Sequence, residues 1–252
     1  LYTGLDCHEN GNFEDAFTWF TKAAALGQSE SIAELADYYY HFYDAKELRT
    51  AIPYDPVKAI GLYRRAATKN FSDAGYTALQ AAFGYIFHIG HLPLDWGLIA
   101  DLTHMAATKE RFMFALPYIG YMRIHGLGVT KNIRFAVQSL LRVLDEEQRA
   151  FEEENRVLFY DITRALTRVA LGYAYEKGYV SGKPDLDQAV SYYEQSHQYI
   201  LSHKANLDEE LKDIPIDDEA AERLEAFEEI DGHWQYKEGI AESTTTVRPA
   251  PT

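Results

Sequence analysis

The sequence predicts an all-α fold built from stacked helix pairs. Two observations carry this: one helical residue pattern recurs five times along the chain, and cap residues and glycines punctuate it at matching places. Composition agrees, with 47% apolar and 25% charged residues, as in an ordinary globular chain. No apolar run approaches the roughly 18 residues that a membrane-crossing helix needs.

The recurring pattern is an Asp or Asn, an Ala or Ile four residues later, and a small or apolar pair seven and eight residues beyond that. It reads Asn12, Ala16, Ala23-Ala24; Asp55, Ala59, Ala66-Ala67; Asp95, Ile99, Ala106-Ala107; Asn132, Ala136, Val143-Leu144; and Asp185, Ala189, Ser196-His197. These offsets place the later residues on one helical face, with the Asp or Asn as N-cap. The starting positions lie 43, 40, 37 and 53 residues apart. Two copies depart from the pattern, since Ile99 replaces the usual Ala and the fifth copy lacks the Ala pair.

A second helical pattern precedes each of the last four copies. A small residue is followed three later by an aromatic or long residue, and three after that often by Gly. The copies are Leu35-Ala36, Tyr39, Phe42; Phe83-Gly84, Phe87, Gly90; Ile119-Gly120, Arg123, Gly126; and Leu171-Gly172, Tyr175, Gly178. The small residue admits a neighbouring helix, and the later Gly suits a C-cap with positive φ. Residues 44–54 read as an extra loop between the two helices of the second repeat. Leu1 to Gly11 is too short for a complete first helix, and the chain opens without Met, so the native protein is expected to continue N-terminally.

The phrases Gly120-Tyr121, Gly126-Leu127-Gly128-Val129-Thr130-Lys131-Asn132 and Ala136 resemble Sel-one-like repeats, relatives of the tetratricopeptide repeat. So do Leu171-Gly172, Tyr175, Gly178, Asp185, Ala189 and Tyr192-Tyr193, and Asn12-Phe13-Glu14-Asp15-Ala16 with Trp19-Phe20, Lys22-Ala23-Ala24 and Gly27. The resemblance implies a right-handed superhelical solenoid of stacked antiparallel helix pairs over residues 1–203, about four and a half repeats. Residues 204–231 read as an acidic helical cap over the last repeat, and 232–252 as a flexible tail.

Charge supports that division. The net charge is −15, and residues 205–242 carry 14 acids against Lys212, Arg223 and Lys237. A surface of this sign disfavours nucleic acid as a partner. The acidic segment could bind a basic partner or keep the end cap solvated.

Bond-making motifs are missing. There is no nucleophile elbow, phosphate loop or metalloprotease helix, and the single Cys7 supports no cysteine framework. Gly126-Leu127-Gly128 follows a helix rather than a strand, so it reads as a turn. His88, His91 and His104 invite a metal test, but no acid or Cys completes a ligand set. The runs Glu152-Glu153-Glu154 and Asp217-Asp218 read as solvated charge. No cofactor, metal or catalytic residue is expected.

With the small residue as zero, the resemblance implies burial of first-helix positions −5, −1, 0 and +3. Positions −6, −2, +1 and +5 then line the concave side. They give Glu34, Asp37 and His41 in repeat two, Tyr85 and Ile89 in repeat three, Phe114, Tyr118, Tyr121 and His125 in repeat four, and Tyr173 and Lys177 in repeat five. Tyrosine combines large contact area with a hydroxyl, which suits recognition of a partner. Two readings stand: these residues contact a protein or peptide with apolar anchors and a basic end, or the tyrosines pack between adjacent first helices. Tyr38 to Tyr43 likewise read as an edge loop or as helix packing. The resemblance implies a non-catalytic scaffold or adaptor, with secreted, periplasmic or endoplasmic-reticulum settings common among relatives. The alternatives are a hydrolase acting on cell-wall or peptide fragments in the same groove, and an anchoring or regulatory domain of a membrane-attached protein.

Overall fold

A computed structural model describes residues 1–40, 46–69, 71–86, 92–108, 112–150, 158–206 and 219–238. The described chain is helical throughout except for one short hairpin. Five helices serve as first helices of the repeats: α1 (Tyr2–Glu9), α3 (Ser29–Tyr39), α6 (Ala74–Ile86), α8 (Phe112–His125) and α10 (Leu158–Glu176). Their partners are α2 (Phe13–Ala25), α5 (Pro56–Ala67), α7 (Trp96–Thr108), α9 (Ile133–Ala150) and α11 (Leu186–Asn206), with α4 (Lys46–Ala51) inserted in the second repeat. The chain continues as α12 (Glu219–Leu224), β1 (Phe227–Ile230) and β2 (His233–Tyr236).

The caps form largely as their residue types dictate. Asp55, Asp95, Asn132 and Asp185 each accept, through the side chain, the backbone N–H three residues on, at 2.9–3.1 Å. Asn12 makes no such side-chain bond; its backbone carbonyl alone accepts from Ala16 N at 3.0 Å. At the other ends, Gly126 and Gly178 adopt φ of 77° and 69°, the left-handed stop that a side chain resists. The residue four beyond each cap is fully buried in every repeat: Ala16, Ala59, Ile99, Ala136 and Ala189. The fifth repeat lacks the Ala pair because Ser196, buried in its place, donates to the Ala165 carbonyl at 2.8 Å.

One close approach recurs. A Cβ added at Gly4, Gly120 or Gly172 would lie 2.6–2.7 Å from Phe20, Leu140 or Tyr193 respectively. Each large residue stands eight positions after the N-cap of its own repeat, so the first helix yields a side chain where the second projects its bulkiest one. Gly84 meets Ile60 of the preceding repeat instead. The first repeat keeps this crossing in a first helix of eight residues, shorter than its counterparts in the later repeats. Residues 2–9 form a helix, and Gly4 supplies its crossing point.

The chain divides into two compact units, Leu1–Pro93 with Asp101–Phe112, and Leu94–Ala100 with Met113–Thr252. In the first, Tyr38 is fully buried among Phe13, Phe17 and Phe20, and its hydroxyl pairs with His8 Nδ1 at 2.8 Å. Tyr38 and Tyr39 are therefore packing residues; 41–45 lie outside the described residues. The expected loop at 44–54 instead contains α4, and Leu48 on it and Ile52 just past it lie in the core.

In the second unit the core gathers Leu116, Tyr118, Met122, Leu140, Leu171, Val190 and Tyr193. Gly126-Leu127-Gly128 is a turn: Gly128 has positive φ, and a Cβ there would strike the Trp96 carbonyl. The hairpin departs from the sequence reading of helix to 231 and tail beyond. Phe227 pairs with Tyr236 and Ile230 with His233 across Asp231-Gly232, whose φ values of 53° and 82° fit a two-residue hairpin turn.

Gly172→Ala should lower stability by about 1–3 kcal/mol through overpacking against Tyr193, despite alanine's helix propensity. Gly61→Ala, whose Cβ would enter open space, should raise it by up to about 1 kcal/mol. Denaturant unfolding of both variants checks the contrast.

Candidate functional site

Four of the residues predicted to face a partner come together in the second unit. Tyr121 and His125, one turn apart on α8, present rings whose centroids lie 4.7 Å apart. His125 reaches Tyr173 of α10 at 4.5 Å, and Trp96 stacks on the far side of Tyr121 at 5.9 Å. Lys177, just past α10, ion-pairs with Glu176 at 2.7 Å. Burial lowers the His125 pKa to about 4, with Glu219 opposing and Arg223 and Lys131 adding to the effect, so the ring is neutral at pH 7.

The chain's own C-terminal segment occupies this face. The Arg223 guanidinium lies 4.9 Å from the Tyr173 ring centroid and 5.7 Å from that of Tyr193. It pairs with Glu219 at 2.7 Å, one turn earlier on α12, and with Glu176 at 3.5 Å. The Tyr121 hydroxyl donates to Glu219 at 2.6 Å, and the Tyr193 and Tyr236 hydroxyls donate to Glu176 at 2.6 and 2.9 Å. Farther out, Asp187 accepts the Trp234 backbone N–H at 2.7 Å and pairs with His233 at 3.0 Å.

Two carboxylates and two cations thus cancel within one network. Burial works against the charge on Glu219, yet Arg223, His125 and the Tyr121 hydroxyl hold its pKa below the usual carboxylate value. At Glu176 burial is likewise outweighed, by hydrogen bonds from Lys177 and Tyr193 and by the Arg223 charge. Acids held ionised in this way grip cations, which is anchoring chemistry rather than proton transfer.

The remaining predicted residues are not joined to this cluster. Asp37 is buried in the first unit, where its Oδ1 accepts from the Tyr63 hydroxyl at 2.5 Å. Burial pushes its pKa to about 7; the Tyr63 hydrogen bond pulls the other way, and the Glu34 and Asp73 charges push further up. Tyr85 is nearly buried and accepts from Arg64 at 3.2 Å. Glu34 and Phe114 are half-buried. Tyr118 is fully buried, beyond the reach of a partner in this arrangement. The projection assumed one dry side per helix, whereas α8 is apolar around most of its circumference and buries several sides. His41 and Ile89 lie outside the described residues, as do His88 and His91; among the described residues no three metal-binding side chains cluster.

Sequence reasoning missed Trp96, Glu176, Tyr193, Glu219, Arg223 and Tyr236. A signal existed for two of them: Arg223 is one of three bases in the acidic segment, and it stands four residues after Glu219.

The Sel1 repeat pattern matches residues 1–28, 29–71, 118–138 and 163–196, together half of the chain. The chain belongs to the Sel1 repeat family. Sel1 repeat proteins are generally protein–protein interaction scaffolds. No curated protein matches the chain. Among solved structures, the crystal structure of a Sel1 repeat protein from Oxalobacter formigenes is similar at 22% identity and a TM-score of 0.46, covering 74% of this chain and 65% of that one. The chain therefore spans less than two thirds of that protein's length. No described helix of this Sel1 repeat chain is long and apolar enough to cross a membrane.

Asp37 also sets a pH test. Its pKa is about 7 in the folded chain against an ordinary 3.8, so the stability it supports is full below pH 4 and is lost as pH rises through 7. Asp37→Asn should flatten the fall in Tm between pH 5 and 8, an effect on the order of a few kcal/mol by pH 8. Thermal unfolding of the two chains across that range measures it.

Proposed function

We propose that this Sel1 repeat chain is a non-catalytic scaffold or adaptor that holds a partner protein or peptide on the first-helix face of repeats four and five. The observation that carries this reading is the helix already held there: α12 is gripped by Tyr121, Tyr173 and the acids beside them. A face that orders a helix of its own chain has the contact chemistry to order one from another protein. Rigid aromatic rings provide area at low entropic cost, and the buried ion network provides direction. Phe114, His125, Tyr173 and Lys177 are the predicted residues left partly accessible for this role.

Pairing Phe114→Ala with Tyr173→Ala removes two accessible rings while leaving the repeat crossings intact. Affinity purification of the natural chain from its own cells should retain a partner that the double variant loses by about 30-fold, the effect of removing an aromatic anchor. Full retention by a variant with natural circular dichroism would overturn the reading.

A further inference from the structure

We propose that the segment Glu219–Lys237 is a resident ligand of this face, and that the partner admitted there is a protein helix with a carboxylate and an arginine one turn apart, which binds by displacing it. This rests on the scaffold reading above and names the chemistry of its partner.

The demand for arginine is geometric. The Arg223 site offers two tyrosine rings and two carboxylates, which match a planar guanidinium that stacks and forks at once. A lysine ammonium is a compact point charge without the planar fork that lets a guanidinium face both rings while meeting both acids. The demand for a carboxylate comes from Tyr121, whose hydroxyl donates to Glu219 one turn before the arginine. With Arg223 gone, the Glu176 side chain, which is 0% exposed, would lose one of the two cations described beside it and keep Lys177. An incoming helix with the same pair restores the Arg223 and Glu219 contacts it displaces, whereas one without arginine leaves a buried acid less fully compensated.

Two features make the resident displaceable. First, the six described residues of α12 are too few to hold a helix by themselves. The segment's hairpin is tied to α11 through Phe227, which stacks on Tyr193 at 6.2 Å, and through Asp187 and His233, whose side chain is 81% exposed. Second, the described part of the resident is an incomplete fit. Among the described residues, Trp96 Nε1 and His125 Nε2, on the residues flanking Tyr121, are buried without a hydrogen-bond partner. A partner helix that also satisfies these nitrogens has an advantage over the resident.

The test uses the full chain and a labelled synthetic peptide with the sequence of residues 217–238. Fluorescence anisotropy should show the peptide binding Arg223→Ala at least tenfold more tightly than the natural chain, because the variant's own segment competes less. The same peptide carrying Arg223→Lys should bind at least tenfold more weakly. No uptake by either chain, with natural helix content in both, overturns the proposal. Should Arg223→Ala fail to fold, hydrogen exchange on the natural chain decides. Amides of 219–236 are expected to exchange at least tenfold faster than those of α10 and α11, and equal protection marks a permanent cap. Loss of partner capture by the Phe114→Ala, Tyr173→Ala double variant alongside a negative peptide result leaves the scaffold reading standing and removes this one. Peptide uptake without any captured protein does the reverse.

Discussion

The spacing of the helix pairs depends on a small residue yielding to a large one. In repeats one, four and five, a glycine in the first helix receives the side chain eight positions after the N-cap of the second. That contact fixes how closely the pair packs, and so which first-helix residues remain at the surface. Protein interiors pack near crystal density, so one added methyl at such a crossing has nowhere to go. The third repeat keeps the glycine but turns it toward the preceding repeat, so the same device serves within and between repeats.

Above that apolar frame sits a polar network of opposite character. Glu176, Lys177, Glu219 and Arg223 are charged, tightly paired and ringed by tyrosine hydroxyls. Pairs of this kind add little net stability, because desolvation offsets the attraction, but they penalise a wrong partner heavily. Apolar crossings build the scaffold, and the ion network orients the C-terminal segment that lies against it. The tyrosines link the two, since each turns a ring toward its neighbours and a hydroxyl toward an acid.

Much of the fold was legible because it rests on local rules. Asp55, Asp95, Asn132 and Asp185 cap as their residue type dictates, and Gly126 and Gly178 stop helices where positive φ is needed. The hairpin was missed: Asp231-Gly232 is a turn signal, but Phe227-Glu228-Glu229-Ile230 before it does not alternate and the surrounding acidity reads as a solvated cap. The candidate site was harder to see. Tyr121, His125, Tyr173 and Lys177 could be chosen from helical register, but Tyr118 shares that register and lies in the core. Register specifies direction around one helix axis and carries no information on what packs there. Arg223 reaches Glu176 across 47 residues, and no local pattern encodes such a meeting.

Two of the ion-pair anchors of the C-terminal segment differ in their exposure to dissolved ions. The Arg223 pairs are enclosed, with the guanidinium side chain 4% exposed, while the His233–Asp187 pair stands in solvent at 81% and 52%. Added electrolyte weakens surface attraction over a Debye length of about 8 Å at physiological ionic strength and leaves enclosed pairs largely untouched. Salt therefore weakens the His233–Asp187 pair before the Arg223 pairs, and leaves in place the apolar stack of Phe227 on Tyr193 that also holds the hairpin.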